Sequence, residues 1–218
     1  MTLLAAIAPC AITYLAGWFA WTFAEYLMHR FAMHEMRGRG LASREHLTHH
    51  ADRDSVLEKW PIAWAGIITV GVVGFGFGGS LVLPVSLAAS LAAGWIGGYG
   101  FYDWMHYRAH RHHVSRLPGF GRYERALRVH HFHHHFGHPM RNHTVTMPLW
   151  DIVFGTRDVV EGPVRVPRRL ALVWLVDDAG AVRAEYAADY VLAGNRSMTD
   201  AQATEDLRNA FANTAPAI

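Results

Sequence analysis

Ten of the sixteen histidines in this 218-residue chain fall into four clusters whose spacing suits metal chemistry. They are His29 and His34; His46, His49 and His50; His106 and His110; and His131, His134 and His135. Imidazole is the commonest protein ligand for zinc, copper, iron and nickel, and ten ligands are too many for one ion. On an α-helix, residues at i, i+3 and i+4 share a face. The second, third and fourth clusters can therefore each point a row of imidazoles at one centre. His29 and His34 are five apart, roughly 140° around an ideal helix, and need a break or bulge between them.

The ligand count chooses among metals. Structural zinc takes four ligands, often cysteines. Ten histidines shared by two ions give five each, which suits a six-coordinate redox metal such as iron with one position open. The Glu-x-x-His signature of carboxylate di-iron bundles occurs nowhere in the chain. The expected site is thus an all-histidine dimetal centre. Ligating histidines usually pass their other ring N–H to a carboxylate or carbonyl. Asp103, three residues before His106, and Asp151 are the carboxylates favoured for such support, over Glu25 and Glu45. His112, His113, His130, His133 and His138 read as solvated, headgroup-facing or supporting residues.

The elements that must position these clusters are unusually apolar. From Pro61 to Tyr102 the chain carries no Asp, Glu, Lys, Arg or His, and Leu3–Met28 has Glu25 as its only charge. A membrane-spanning helix needs about 20 apolar residues, so the first segment supplies one span and the second a hairpin of two. Gly78, Gly79 and Ser80 offer the turn, with Pro84 in the first turn of the returning helix. The glycines at 66, 71, 74, 76, 78 and 79 read as close helix packing. Trp18, Trp21, Phe23 and Tyr26 read as interfacial aromatics. With three spans, residues 29–60 and everything after 103 share one side. Those regions hold all sixteen histidines and all twenty Lys and Arg residues, and the positive-inside rule makes that side cytoplasmic.

A removable signal peptide is not expected, since no Lys or Arg opens the chain and a histidine cluster follows directly. The single cysteine, Cys10, excludes an intramolecular disulfide framework and reads as a buried small apolar residue. Pro118, Gly119 and Gly121 mark a turn between the helices of the third and fourth clusters. The tail, residues 158–218, differs in character. Leu170–Val176 followed by Asp177–Gly180 reads as a short strand and turn. Thr199–Gln202 resembles a capping box opening an amphipathic helix with Leu207, Ala210 and Phe211. There is no Walker or GxSxG motif, and no basic stripe suited to nucleic acid.

The order HX4H, HX2HH, HX3H, HX2HH, with YDWMHYRAH, HHFHHHFGHP and LWDIVFGT in the stretch 102–156, resembles the fatty acid hydroxylase/sterol desaturase superfamily of integral membrane oxygenases. The fatty acid 2-hydroxylases are the most similar branch. The resemblance covers residues 25 to about 157. It implies an all-α membrane protein of three to four spans, with a cytosolic helical cap over a histidine-lined dimetal site in a domain of residues 1–157. It carries the ligand role onto His29, His34, His46, His49, His50, His106, His110, His131, His134 and His135. It also implies O2-dependent hydroxylation of a lipid chain, with electrons from a separate donor such as cytochrome b5 or ferredoxin. The metal implied is iron, although some members purify with zinc. Where relatives often carry a Gly–aromatic or Asn–Tyr–Gly element, this chain has Asn142-His143-Thr144. That leaves His143 as an additional ligand or a support to the ligands.

The function expected is therefore a di-iron monooxygenase acting on a fatty acyl chain, with the 2-position favoured. A carotenoid- or sterol-type hydroxylase or desaturase is the near alternative. A non-enzymatic metal-binding protein or transporter ranks below both, because a transporter carries polar groups within its spans and residues 61–102 carry no ionisable group but tyrosine. Nineteen arginines against one lysine suit a GC-rich bacterial genome, and hence a bacterial inner membrane.

Overall fold

The computed structural model describes residues 3–52 and 60–193. Its helices are α1 (Leu3–Leu27), α2 (Leu41–Ala51), α3 (Trp60–Thr69), α4 (Val85–Arg111), α5 (Phe120–Phe136) and α6 (Leu149–Val153). Two π-helical segments continue α1 and α3, at Met28–Glu35 and Val70–Gly78. The chain divides into two compact units. One holds the described residues up to 25 and from 60 to 104; the other holds those from 26 to 52 and from 105 to 193.

The first unit is built from α1, α3 with its π-helical extension, and most of α4. Trp21 is its centre, 1% exposed and edge-on to Trp95 at 5.2 Å and Tyr99 at 4.9 Å. The Trp95 indole donates to the Ile67 carbonyl at 3.1 Å, satisfying the polar atom that burial would otherwise strand. The expectation of an interfacial ring at Trp21 is thus corrected, since its aromatic surface is spent on protein packing. The glycine expectation is also redistributed. A Cβ at Gly66 would meet nothing within 4 Å, whereas one at Gly17 or Gly94 would sit 2.0 Å from the Leu91 carbonyl oxygen or 1.9 Å from that of Tyr14. These two glycines let α1 and α4 cross backbone to backbone.

The hairpin turn falls where expected. Leu83 N–H donates to the Gly79 carbonyl at 2.9 Å, and Pro84 stands immediately before α4, its carbonyl taking the amides of Leu87 and Ala88. Outside its aromatic core this unit turns apolar side chains outward: Ile12, Leu15, Val73, Phe77 and Val82 are all more than half exposed. Ile7–Glu35 and Pro61–Gly78 are long and apolar enough to cross a membrane, with 17% and 11% of their most apolar windows buried. A core helix of a water-soluble protein would hide this surface. Cys10 is half-buried.

The second unit carries the chemistry. Its tail corrects the all-α expectation, because Val164–Pro167 (β1) and Tyr190–Ala193 (β2) pair in parallel, Val164 opposite Tyr190. Leu170–Val176 is not the strand. It opens as a 3-10 turn at Arg168–Leu170 and runs on irregularly, burying Leu172, Trp174 and Leu175. Their clustered apolar side chains serve a core on more than one side, which the alternation of a half-buried strand would not allow. The turn after it does form, with Gly180 N–H donating to the Asp177 carbonyl at 2.9 Å. The expected helix after Thr199 lies outside the described residues.

Candidate metal centre

The ten clustered histidines are all at least nine-tenths buried. They sort into two groups: His29, His34, His46, His50 and His134, and His49, His106, His110, His131 and His135. Within each group five candidate ligand atoms lie within 4.8 Å of one another. Each cluster alone was expected to face one centre, but the second and fourth divide. At about 100° per residue, His46 and His50 diverge by only about 40°, whereas His49 and His50 diverge by about 100°. α2 therefore gives its i, i+4 pair to the first group and His49 to the second. α5 does the reverse, giving His131 and His135 to the second group and His134 to the first. The rings of His50 and His135 stack across the boundary, 4.0 Å apart at 9°.

His29 and His34 join the same group because the chain there is π-helical. Its i→i+5 hydrogen bonds bring residues five apart together, which is the break from α-geometry that their spacing demands. The connection to α2 turns through left-handed Arg37, Gly38 and Gly40. Ser43 then locks α2 to the π-helical segment, its hydroxyl donating to the Met33 carbonyl at 2.6 Å and accepting from Gly38 N–H at 2.8 Å.

The donor set fits a cation. His46 Nε2 lies 2.9, 2.8 and 3.0 Å from the Nε2 atoms of His29, His34 and His50, and His134 Nε2 lies 3.0 and 3.1 Å from those of His34 and His50. A ring nitrogen has one in-plane proton or one lone pair, so it cannot satisfy three such neighbours. A shared ion can. Nitrogens about 2.1 Å from a metal stand about 3.0 Å apart in a six-coordinate arrangement and about 3.4 Å apart in a tetrahedral one. In the second group the Nε2 atoms of His49 and His106 lie 3.1 Å apart and those of His110 and His131 2.9 Å apart. Burial first, and then the neighbouring imidazoles, push His46, His50, His110, His131 and His135 well below the usual histidine range. Neutral rings with free lone pairs are the form that binds metal.

A buried carboxylate supports the first group. Asp151, at the start of α6, accepts the amides of His143 and Thr144 at 2.9 Å each and the hydroxyls of Thr144 and Thr156 at 2.6 and 2.8 Å. His130 Nε2–H donates to it at 3.2 Å. Burial opposes its charge, but the hydrogen bonds from His130, His143 and Thr144 prevail and hold the carboxyl well below its usual range. This cradle fixes the loop 141–144, in which Asn142 adopts φ 55°, a left-handed conformation that asparagine tolerates. From that loop the Arg141 carbonyl takes the Nδ1–H of His134 at 2.7 Å, leaving the His134 Nε2 lone pair for the first group. His143, fully buried, packs edge-on against His29 at 5.7 Å and His34 at 5.8 Å, with Nδ1 3.5 Å from Asp151.

The other expected residues separate. Asp103 belongs to the first unit and accepts the Trp64 indole N–H at 3.2 Å. His133 and His138 face Asp158 at 3.5 and 3.0 Å, and His113 faces Glu185. No supporting role is expected from sequence for Thr144, Thr156 or Ser43, although Asn142-His143-Thr144 and LWDIVFGT hold the two threonines.

Comparison with known proteins gives the family. The fatty acid hydroxylase family matches residues 14–156. Human fatty acid 2-hydroxylase is 32% identical over 150 residues, 66% of this chain and 38% of that protein. A dihydroceramide fatty acyl 2-hydroxylase of Arabidopsis thaliana is 29% identical over 67% of this chain and 61% of its own length. A ceramide very long chain fatty acid hydroxylase of Schizosaccharomyces pombe is 30% identical over 71% and 44%. The chain thus spans from about two fifths to three fifths of these relatives. A solved structure of full-length scs7p, with only its hydroxylase domain visible, superposes with a TM-score of 0.51 at 26% identity, covering 72% of this chain and 59% of that one. With the family match running through all four histidine clusters and the cradle of Asp151, this chain belongs to the fatty acid hydroxylase family.

Proposed function

We propose that the protein is an integral membrane lipid hydroxylase that uses O2 and external electrons to hydroxylate a fatty acyl chain, with the 2-position as first choice. The observation that carries this reading is the pair of buried five-histidine groups in a chain of this family. Named relatives act as fatty acid and dihydroceramide fatty acyl 2-hydroxylases. Two irons, held by His29, His34, His46, His50 and His134 and by His49, His106, His110, His131 and His135, would supply the redox chemistry that an unactivated C–H bond requires. The balance is R–H + O2 + 2e⁻ + 2H⁺ → R–OH + H2O, so a separate one-electron donor such as a cytochrome b5 or a ferredoxin is part of the reading.

The chain's own residues do the rest. Each group offers five nitrogens, which would leave a six-coordinate ion free to take a small molecule. The Asp151 cradle fixes the loop that orients His134, and His143 fills the space beside the first group as a support to its ligands. Burial keeps bulk water from the reacting centre. Outward apolar side chains on α1 and on α3 with its π-helical extension support two of the three spans in this reading. The placement of every Lys, Arg and His in residues 29–60 and after 103 supports a cytoplasmic cap on a bacterial inner membrane. The hydroxylase domain, residues 1–157, then continues into the tail.

The test is lipid profiling by mass spectrometry under 18O2 in cells expressing the wild type or His134→Ala with an electron donor. A fatty acyl lipid gaining one labelled oxygen only with the wild type is the expected result. Metal-loaded, stable protein that changes no lipid would contradict the reading.

A further inference from the structure

The family match ends at residue 156, yet the tail beyond it is tied to one histidine group in particular. Trp174 is 2% exposed, and its indole N–H donates at 2.9 Å to the carbonyl of Ala109, the residue before His110. Its ring lies 5.9 Å from Phe132, which in turn packs 5.2 Å from His110 and 5.5 Å from His131. On its other side Trp174 meets Tyr186 edge-on at 4.9 Å, and the Arg128 guanidinium stacks over it at 4.8 Å.

Arg128 extends the same brace. Fully buried, it donates to the carbonyls of Arg108, His112 and His113 and forms an ion pair with Glu124 at 2.6 Å. Those carbonyls belong to the last turn of α4 and the residues after it, where helical partners run out; that of Arg108 also takes the His112 amide at 3.0 Å. Arg128 and Trp174 together therefore fix the end of α4, which bears His106 and His110, against α5, which bears His131 and His135. The first group is braced by Ser43 and by the loop 141–144, which Asp151 holds directly and Asp158 holds through Asn142.

We infer that the tail from residue 164 to residue 193 is a buttress for the second histidine group, with Trp174 as its positioning residue. Without it the α4 terminus and α5 lose their common register, and the second metal is held more weakly while the first is not. This rests on the reading that both groups bind metal, but not on any lipid being hydroxylated.

The test uses the full chain in detergent, loaded with iron. Metal release to a chelator is followed alongside carbethoxylation of histidines mapped by mass spectrometry, for the wild type, Trp174→Ala and Trp174→Phe. Trp174→Ala is expected to loosen one of two metals by about tenfold or more, exposing His110 and His131 to modification while His34 and His46 stay protected. Trp174→Phe keeps the ring packing and loses only the bond to Ala109. It is expected to change in the same direction by less, and it carries the test if the alanine variant does not fold. Release of both metals together, or wild-type retention of both in either folded variant, would overturn the inference. A wild type that binds metals but hydroxylates no lipid would sink the proposed function and leave this result standing.

Discussion

The two histidine groups have the same five ligands' worth of imidazole but reach it by different routes. The first draws four of its five members from His29–His50, a stretch of 22 residues closed by a π-helical segment, a left-handed turn and the Ser43 bridge. The second takes His49 from that stretch and its other four from the end of α4 and from α5. Local geometry therefore builds most of one site, while the other depends on two helices held in register by side chains distant in sequence. The consequence is asymmetric dependence: each site has its own brace, and damage to one brace should be felt by one metal first.

The largest expected effect comes from removing a ligand on either side. His34→Ala and His131→Ala should each cost one metal per chain and lower hydroxylation at least about 100-fold. The check is metal analysis of purified protein beside product quantification. Near-normal activity from either variant would break the equivalence of the two groups in catalysis.

Asp151→Asn comes next and sharpens the contrast. Asparagine turns one acceptor oxygen into a donor facing groups that already donate, so the loop 141–144 should loosen. The expected result is metal binding at the first group weakened by about 10–100-fold, read by chelator competition, with the second group unchanged. Equal weakening of both would mean that the cradle supports the whole unit.

Glu124→Gln is the matching change on the second side and adds a pH signature. Burial opposes the Glu124 charge, but Arg108, the Ser115 amide and Arg128 hold the carboxyl below its usual value. A lowered folded-state pKa adds stability that is complete above the unfolded value of about 4.5 and is lost as pH falls through the folded value. The variant should be less stable by about 3 kcal/mol at pH 7, since breaking a buried pair leaves Arg128 uncompensated. The gap should narrow as the wild type is acidified below pH 4.5. Thermal unfolding across pH 7 to 3 measures it, and a pH-independent gap would remove the ion pair from the account. Tyr26→Phe should be the smallest effect, about 1 kcal/mol. It loses the hydroxyl that takes Arg30 at 2.8 Å and meets Thr156 at 3.2 Å, but keeps the stack on Phe154.

Much of the site is legible in residue spacing, because ligands on one helix obey its period. The i, i+5 spacing of His29 and His34 demands a departure from α-geometry, and the π-helix supplies it. Spacing cannot say which centre a residue serves when a cluster spans about 100° of the helix, so the division of His49 from His50 is visible only once α4 and α5 are in place. Asp151 draws attention as a carboxylate near a cluster, but its donors come from Thr144 and Thr156, and loop backbone carries no periodic signal. The parallel strands were missed because Val164–Pro167 and Tyr190–Ala193 are each four residues long and far apart in sequence.

The most direct test is the number of metal ions per chain in protein purified in detergent and reconstituted anaerobically with ferrous iron, for the wild type, His34→Ala and His131→Ala. Two histidine groups that each hold one ion predict two per chain in the wild type and one in each variant. A wild type that binds no more than one ion would contradict the dimetal centre, and with it the hydroxylase reading built on it.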